Sequence, residues 1–210
     1  TEVMGLSERR YRRKMFDIGT HTQYRTVVLV FLASALIALM GHINAGNLKV
    51  TEGDLTISTD KEGFRNLPDR RLTIAMVTDL HLGRLVPPGT LAYALELIRP
   101  YNPDILLFPG DILDDHAGLD RPKMKELIAG MTPRYGVWAS LGNHEYHSGN
   151  VEDSIRILEE SGIKVLRDET VVIGNAFLLA GRDDYSRDRI VRQPRKSLKE
   201  MLAGASLNSR

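Results

Sequence analysis

Three short stretches of this chain carry residue types that bind cations, and each directly follows an apolar run. Asp79-Leu80-His81 follows Leu72–Val77, Gly110-Asp111 follows Ile105–Phe108, and Gly142-Asn143-His144-Glu145 follows Tyr135–Leu141. A carboxylate and an imidazole one residue apart offer a cation one hard oxygen and one borderline nitrogen, a pairing suited to manganese, iron or zinc. Asp-x-His by itself arises by chance. A fourth turn, Gly181-Arg182-Asp183-Asp184, continues the pattern. In open α/β sheets ligands bind beyond the carboxyl ends of the strands, so turns of this kind converge on one crevice.

The elements that must hold these turns are legible as apolar runs and periodic stretches. Leu72–Val77 and Ile105–Phe108 read as buried strands, Tyr135–Leu141 as a third, and Ile163–Leu166, Val171–Ile173 and Ala176–Ala180 as shorter ones. Between them, Leu91, Leu95 and Ile98 recur at helical spacing after Pro87-Pro88-Gly89-Thr90, with Thr90 as a candidate N-cap. Met124, Leu127, Ile128 and Met131 mark a second helix, and Val151, Ile155 and Leu158 a third, closed by Gly162. A last helix is expected around Leu198–Leu202, and residues 47–71 read as a hairpin. Strands alternating with helices predict an α/β fold. Arg182–Lys196 is crowded with charge and reads as a solvated loop; Asp183 and Asp184 have no assigned role in it, a surface loop being the plain reading.

Composition narrows the function classes. A net charge of +1 over 210 residues gives no argument for nucleic acid, and the absence of cysteine excludes disulfides and thiolate metal sites. From Thr26 to Leu48 there is no Asp, Glu, Lys or Arg. As a helix that stretch spans about 34 Å, enough for a bilayer core. Arg9, Arg10, Arg12, Arg13, Lys14 and Arg25 precede it, so the positive-inside rule puts residues 1–25 in the cytoplasm and the remainder outside the membrane. The expected organisation is a basic segment (1–25), a transmembrane helix (26–48) and a domain from 49 to 210.

The motifs Asp79-x-His81, Gly110-Asp111 and Gly142-Asn143-His144-Glu145, in this order, resemble the first three signatures of the calcineurin-like metallophosphoesterases. Asn102-Pro103-Asp104 before Gly110-Asp111, and Tyr146 after Glu145, resemble the membrane-anchored bacterial branch. The resemblance implies a four-layer αββα sandwich, C-terminally incomplete here, holding two divalent metal ions (manganese, iron or zinc). By it, Asp79 and His81 bind the first metal, Asp111 bridges both, and Asn143 binds the second through its amide oxygen. His144 is then no ligand; it sits over the leaving group and protonates it. Glu145 supports its turn, and His116 and His147 face solvent or the substrate rim. The implied activity is hydrolysis of a phosphodiester or phosphomonoester, with a lipid headgroup as a candidate substrate beside the bilayer. The alternative is a non-catalytic, membrane-tethered module. The resembled family draws three further histidines from later strand ends, whereas no histidine follows His147. The expectation is therefore a fragment of a longer protein that, as 210 residues, binds metal weakly and hydrolyses little.

Overall fold

The computed structural model describes residues 6–58, 65, 67 and 70–203. The chain divides into two compact units, Thr1–Lys49 and Val50–Arg210. The described part of the first is dominated by one helix, α1 (Leu6–Ala45), which runs through the basic segment as well as the apolar one. Within it Thr22–Asn44 is long and apolar enough to cross a membrane. Val27, Leu29, Phe31, Leu36 and Ile37 are all exposed. A core helix would have buried at least one face of that stretch. Apolar side chains left open all round are what a membrane span presents to lipid.

The second unit is an α/β domain. Four strands, β1 (Ile74–Met76), β2 (Ile105–Phe108), β3 (Val137–Ala139) and β4 (Lys164–Val165), form one parallel sheet in the order β1-β2-β3-β4. Their connections carry the helices α2 (Pro88–Ile98), α3 (Arg121–Ala129), α4 (Asn143–His147) and α5 (Val151–Glu160). Consecutive strand order with right-handed crossovers places connecting helices on one face of such a sheet. The other face is covered by an antiparallel hairpin, β5 (Glu169–Ile173) and β6 (Phe177–Gly181). Ile105 and Trp138 pack with Leu166 and Ile173, with Leu107, Val171, Phe177 and Leu179 against them. Leu106 and Phe108, alternating with Ile105 and Leu107 along β2, are fully buried, so this strand is covered on both faces. A final helix, α6 (Leu198–Ala203), abuts β5 through a segment that buries Met201.

Register fixes where the turns emerge. Ile74 pairs with Ile105 and Leu106 with Val137, so β1, β2 and β3 end at nearly one level. The three candidate turns therefore leave the sheet side by side.

Several expectations needed correction. β1 is not a buried strand: Ile74 and Met76 are 49% and 62% exposed. Among the described residues it pairs with β2 alone and lies at the sheet's edge, so the same apolar sequence that would suit a central strand leaves one face open. Residues 47–58 form no strand, and Leu55 and Ile57 are exposed among the described residues. The rest of the expected hairpin lies largely outside the described residues. Helix α2 begins at Pro88 after Pro87 as N-cap, not at Thr90. Proline fits the first helical turn because its missing N–H has no intrahelical partner there in any case.

Candidate metal centre

The turns after β1 and β2 are laced together by backbone hydrogen bonds. Asp79 N–H donates to the Gly110 carbonyl at 3.4 Å, His81 N–H to Asp111 at 3.0 Å and Leu82 N–H to Ile112 at 2.8 Å. Parallel pairing then resumes as a bridge between Leu82 and Leu113. Asp79, His81 and Asp111 all adopt left-handed backbone conformations, with φ of 56°, 50° and 51°. Non-glycine residues rarely sit there, and each costs about 1–2 kcal/mol. Three of the four residues that the sequence marked as candidate ligands share this strain, Asn143 being the exception, and surrounding hydrogen bonds hold them in it.

Two glycines let the second and third turns touch. A Cβ on Gly110 would lie 2.9 Å from the Gly142 backbone, and one on Gly142 would collide with the carboxylate and backbone nitrogen of Asp111. Asp111 thereby reaches the start of α4, where its Oδ1 accepts the His144 N–H at 2.9 Å.

Glu145 locks this arrangement. Its side chain is completely buried. Oε1 accepts the N–H groups of Ile112 (2.7 Å) and Leu113 (2.9 Å), and Oε2 those of Asp111 (3.1 Å) and Gly142 (2.8 Å). Four donors on one carboxylate account for the burial of a charge, and leave it no free lone pair for use as a base. It is the turn support that the sequence led us to expect. Glu145→Gln would set an amide NH₂ against two of these N–H groups. Unfolding stability should fall by about 3 kcal/mol, the range for buried donors left unpaired. A urea melt of the full chain in detergent reads this, and an unchanged midpoint would show the four bonds to be dispensable.

At the mouth of the turns, the side-chain atoms of His81, Asp111 and His144 lie within 4.8 Å of one another, an arrangement that could hold a metal ion. The His81 and His144 rings meet edge to face at 4.2 Å between centroids. Asp79 stands next to them, its Oδ1 4.0 Å from His81 Nε2. Asn143 is exposed and borders the adjoining cavity together with Asp111. Two imidazoles and a carboxylate on strained turns, with a second carboxylate at hand, are a donor set that fits a divalent transition metal.

One residue of this cluster was missed in the sequence. Asp114 Oδ1 lies 2.6 Å from His144 Nδ1 and 3.9 Å from His81 Nδ1. With Nδ1–H donated to Asp114, His144 keeps Nε2 available to a substrate or a cation. The available signal was spacing: Asp114 follows Asp111 by three residues on the same turn. The remaining histidines stand apart. His116 is half-buried, with Nε2 2.9 Å from Ser154 Oγ. The exposed His147 has Nδ1 at 3.0 Å from the Asn143 carbonyl.

The fourth turn also departs from expectation. Asp183 is 1% exposed and is no surface acid. Arg167 Nε and Arg187 Nη1 each donate to its Oδ2 at 3.3 Å, and Arg187 also donates to the buried Asp168 at 2.8 Å. Asp168 in turn accepts the Asp183 and Lys196 N–H groups. The segment from 182 to 196 is thus folded over a core of ion pairs, a pairing invisible while the charges are read one by one. The same network raises the Tyr146 phenol above its ordinary pKa, first through burial and then through Asp183, against the opposing pull of Arg167. Asp184 is held below the usual carboxylate range. Burial would lift it, but hydrogen bonds from Ser186 and the Tyr185 backbone, with the Arg195 charge, outweigh that.

The fold and this cluster agree with the comparisons. Residues 72–198 match the family model for calcineurin-like phosphoesterases, and the chain belongs to that family. It is similar to a transmembrane protein with a metallophosphoesterase domain from Danio rerio, 27% identical over 81% of this chain and 39% of the relative. It also resembles a metallophosphoesterase of Aquifex aeolicus, 32% identical over 77% of this chain and 58% of the relative. A third relative is the UDP-2,3-diacylglucosamine pyrophosphatase LpxG of Chlamydia muridarum, 23% identical over 77% of this chain and 48% of the relative. The chain therefore spans about two fifths to three fifths of the length of these relatives. The family consists generally of metal-binding hydrolases of phosphoesters.

Proposed function

We propose that this domain is the catalytic part of a membrane-anchored, dinuclear-metal phosphoesterase acting on a phosphodiester or a pyrophosphate-bearing lipid. The observation that carries the reading is the cluster of His81, Asp111 and His144 on three adjoining turns, with Asp114 behind the imidazoles. Asp79 and His81 would hold one ion and Asn143 the other, with Asp111 between them. A metal pair of this kind supplies charge to the phosphoryl oxygens and lowers the pKa of a bound water. His144 acts from its own side: Asp114 fixes the ring through Nδ1, and Nε2 delivers a proton to the leaving alkoxide. The pyrophosphatase activity in the name of the Chlamydia relative supports a lipid-linked diphosphate as the substrate. The test is metal analysis of the purified full-length protein, then hydrolysis of bis(p-nitrophenyl) phosphate with added manganese. Metal-replete protein without phosphoester hydrolysis would favour a binding module instead.

The orientation proposed for the membrane puts the basic segment in the cytoplasm and the phosphoesterase domain outside. Protease added to spheroplasts should then cleave the domain after residue 49 while leaving cytoplasmic markers intact. Protection until lysis would reverse the topology, and release by alkaline carbonate would remove the anchor.

A further inference from the structure

Beside the metal cluster, a cavity of about 260 Å³ is lined by Asp111, Gly142 and Asn143 together with Arg182 and Arg195. At about 30 Å³ for each water's share of liquid, it has room for roughly nine waters, or for a phosphate carrying a second anionic group. Four of the arginines in this region are used in two different ways. Arg167 and Arg187 are spent on the buried carboxylates of Asp183 and Asp168. Among the described residues Arg182 and Arg195 make no salt bridge; each is fastened through a backbone carbonyl instead. Arg182 Nε donates to Lys196 O at 2.9 Å, and Arg195 Nη1 donates to Asp183 O at 3.2 Å. These two bonds clasp opposite ends of the 182–196 segment, and Arg195 is further steadied over the Tyr185 ring at 5.4 Å. Both side chains are thereby positioned with guanidinium N–H groups left over. Asp183 and Asp184 also line this cavity: Asp183 is taken by Arg167 and Arg187, and Asp184 accepts the Ser186 N–H at 2.8 Å while lying in the field of Arg195.

Guanidinium groups with unspent N–H donors match phosphate oxygens in charge and in planar fork geometry. We propose that Arg182 and Arg195 form a subsite for a second anionic group of the substrate, a phosphate joined to the one bound at the metal cluster. This deepens the proposed function and rests on its reading of that cluster as the phosphoester site. The chain then prefers diphosphate-bearing substrates to esters with a single isolated phosphate.

Two non-hydrolysable probes test the subsite: methylenediphosphonate and methylphosphonate, titrated calorimetrically into the full chain in detergent, with and without manganese. The parent should bind the diphosphonate at least about tenfold more tightly than the monophosphonate, the increment of one charged hydrogen bond or more. Arg195→Gln and Arg182→Gln should each erase most of that preference while leaving methylphosphonate affinity as it was. If Arg195→Gln disturbs folding, as seen in its melting curve, the exposed Arg182→Gln decides alone. A preference that survives in Arg182→Gln, or one that the parent never shows, overturns the subsite. The manganese arm separates this from the wider reading. If manganese changes neither probe's affinity but the arginine-dependent preference persists, the metal-centred function falls and the anion subsite stands.

Discussion

Asp111→Asn is expected to cost the protein its metal and its hydrolysis together. Asp111 is the carboxylate that lies with His81 and His144 in the candidate metal cluster, and its Oδ1 takes the His144 N–H. An amide in its place keeps the volume and one oxygen but loses the negative charge, and a neutral group bridges two cations poorly. Metal affinity should fall by more than the ~10–100-fold that follows loss of an outer partner, and phosphoester hydrolysis should disappear with it. The measurement is metal content after dialysis, beside the rate with bis(p-nitrophenyl) phosphate. Melting of the metal-free variant should match the metal-free parent, because Glu145 still ties the turns together through backbone N–H groups. Full metal content and full activity in Asp111→Asn would falsify the dinuclear assignment.

His144→Asn should separate metal binding from chemistry. With Nδ1 committed to Asp114 at 2.6 Å, the ring is oriented to use Nε2 as an acid. Removing it should lower kcat by roughly 10²–10⁴-fold, the range for a positioned proton donor, while bound metal is retained. Substrates with good leaving groups, such as p-nitrophenolate, should be affected least, since they need little protonation. Asp114→Asn should give a milder version of the same defect, about 10–100-fold, by releasing the ring from its orienting partner. The metal readout is decisive, because His144 also lies within the group of atoms that could hold an ion. Loss of metal in His144→Asn would move this imidazole onto the cation and end its role as acid.

These expectations draw on two different levels of information. The order of strand and turn, the glycines at 110 and 142, and the cation-binding residue types at Asp79, His81, Asp111 and Asn143, proposed as ligands, were legible in the sequence. Each is a local matter: an apolar run reports a strand, and a glycine reports a tight backbone. The apolar stretch of α1 was legible for the same reason, since the absence of charge over its length needs no partner to interpret. The boundaries were less so. Tyr135–Leu141 shortened to Val137–Ala139, because pairing with β2 and β4 rather than composition sets where a strand ends.

What depended on partners distant in sequence was decided only by the tertiary structure. β1 reads like any core strand, and only its place at the sheet edge exposes Ile74 and Met76. Asp183 reads like a surface acid until Arg167 and Arg187 close over it, at which point burial and ion pairing are mutually required. Asp114 acquires its role from an imidazole thirty residues away, across two turns that touch because Gly110 and Gly142 leave no side chains between them. Arg182 and Arg195 are two arginines among many in the sequence. Their availability to an anion follows from which carboxylates their neighbours have already taken, and that is settled by packing, not by residue type.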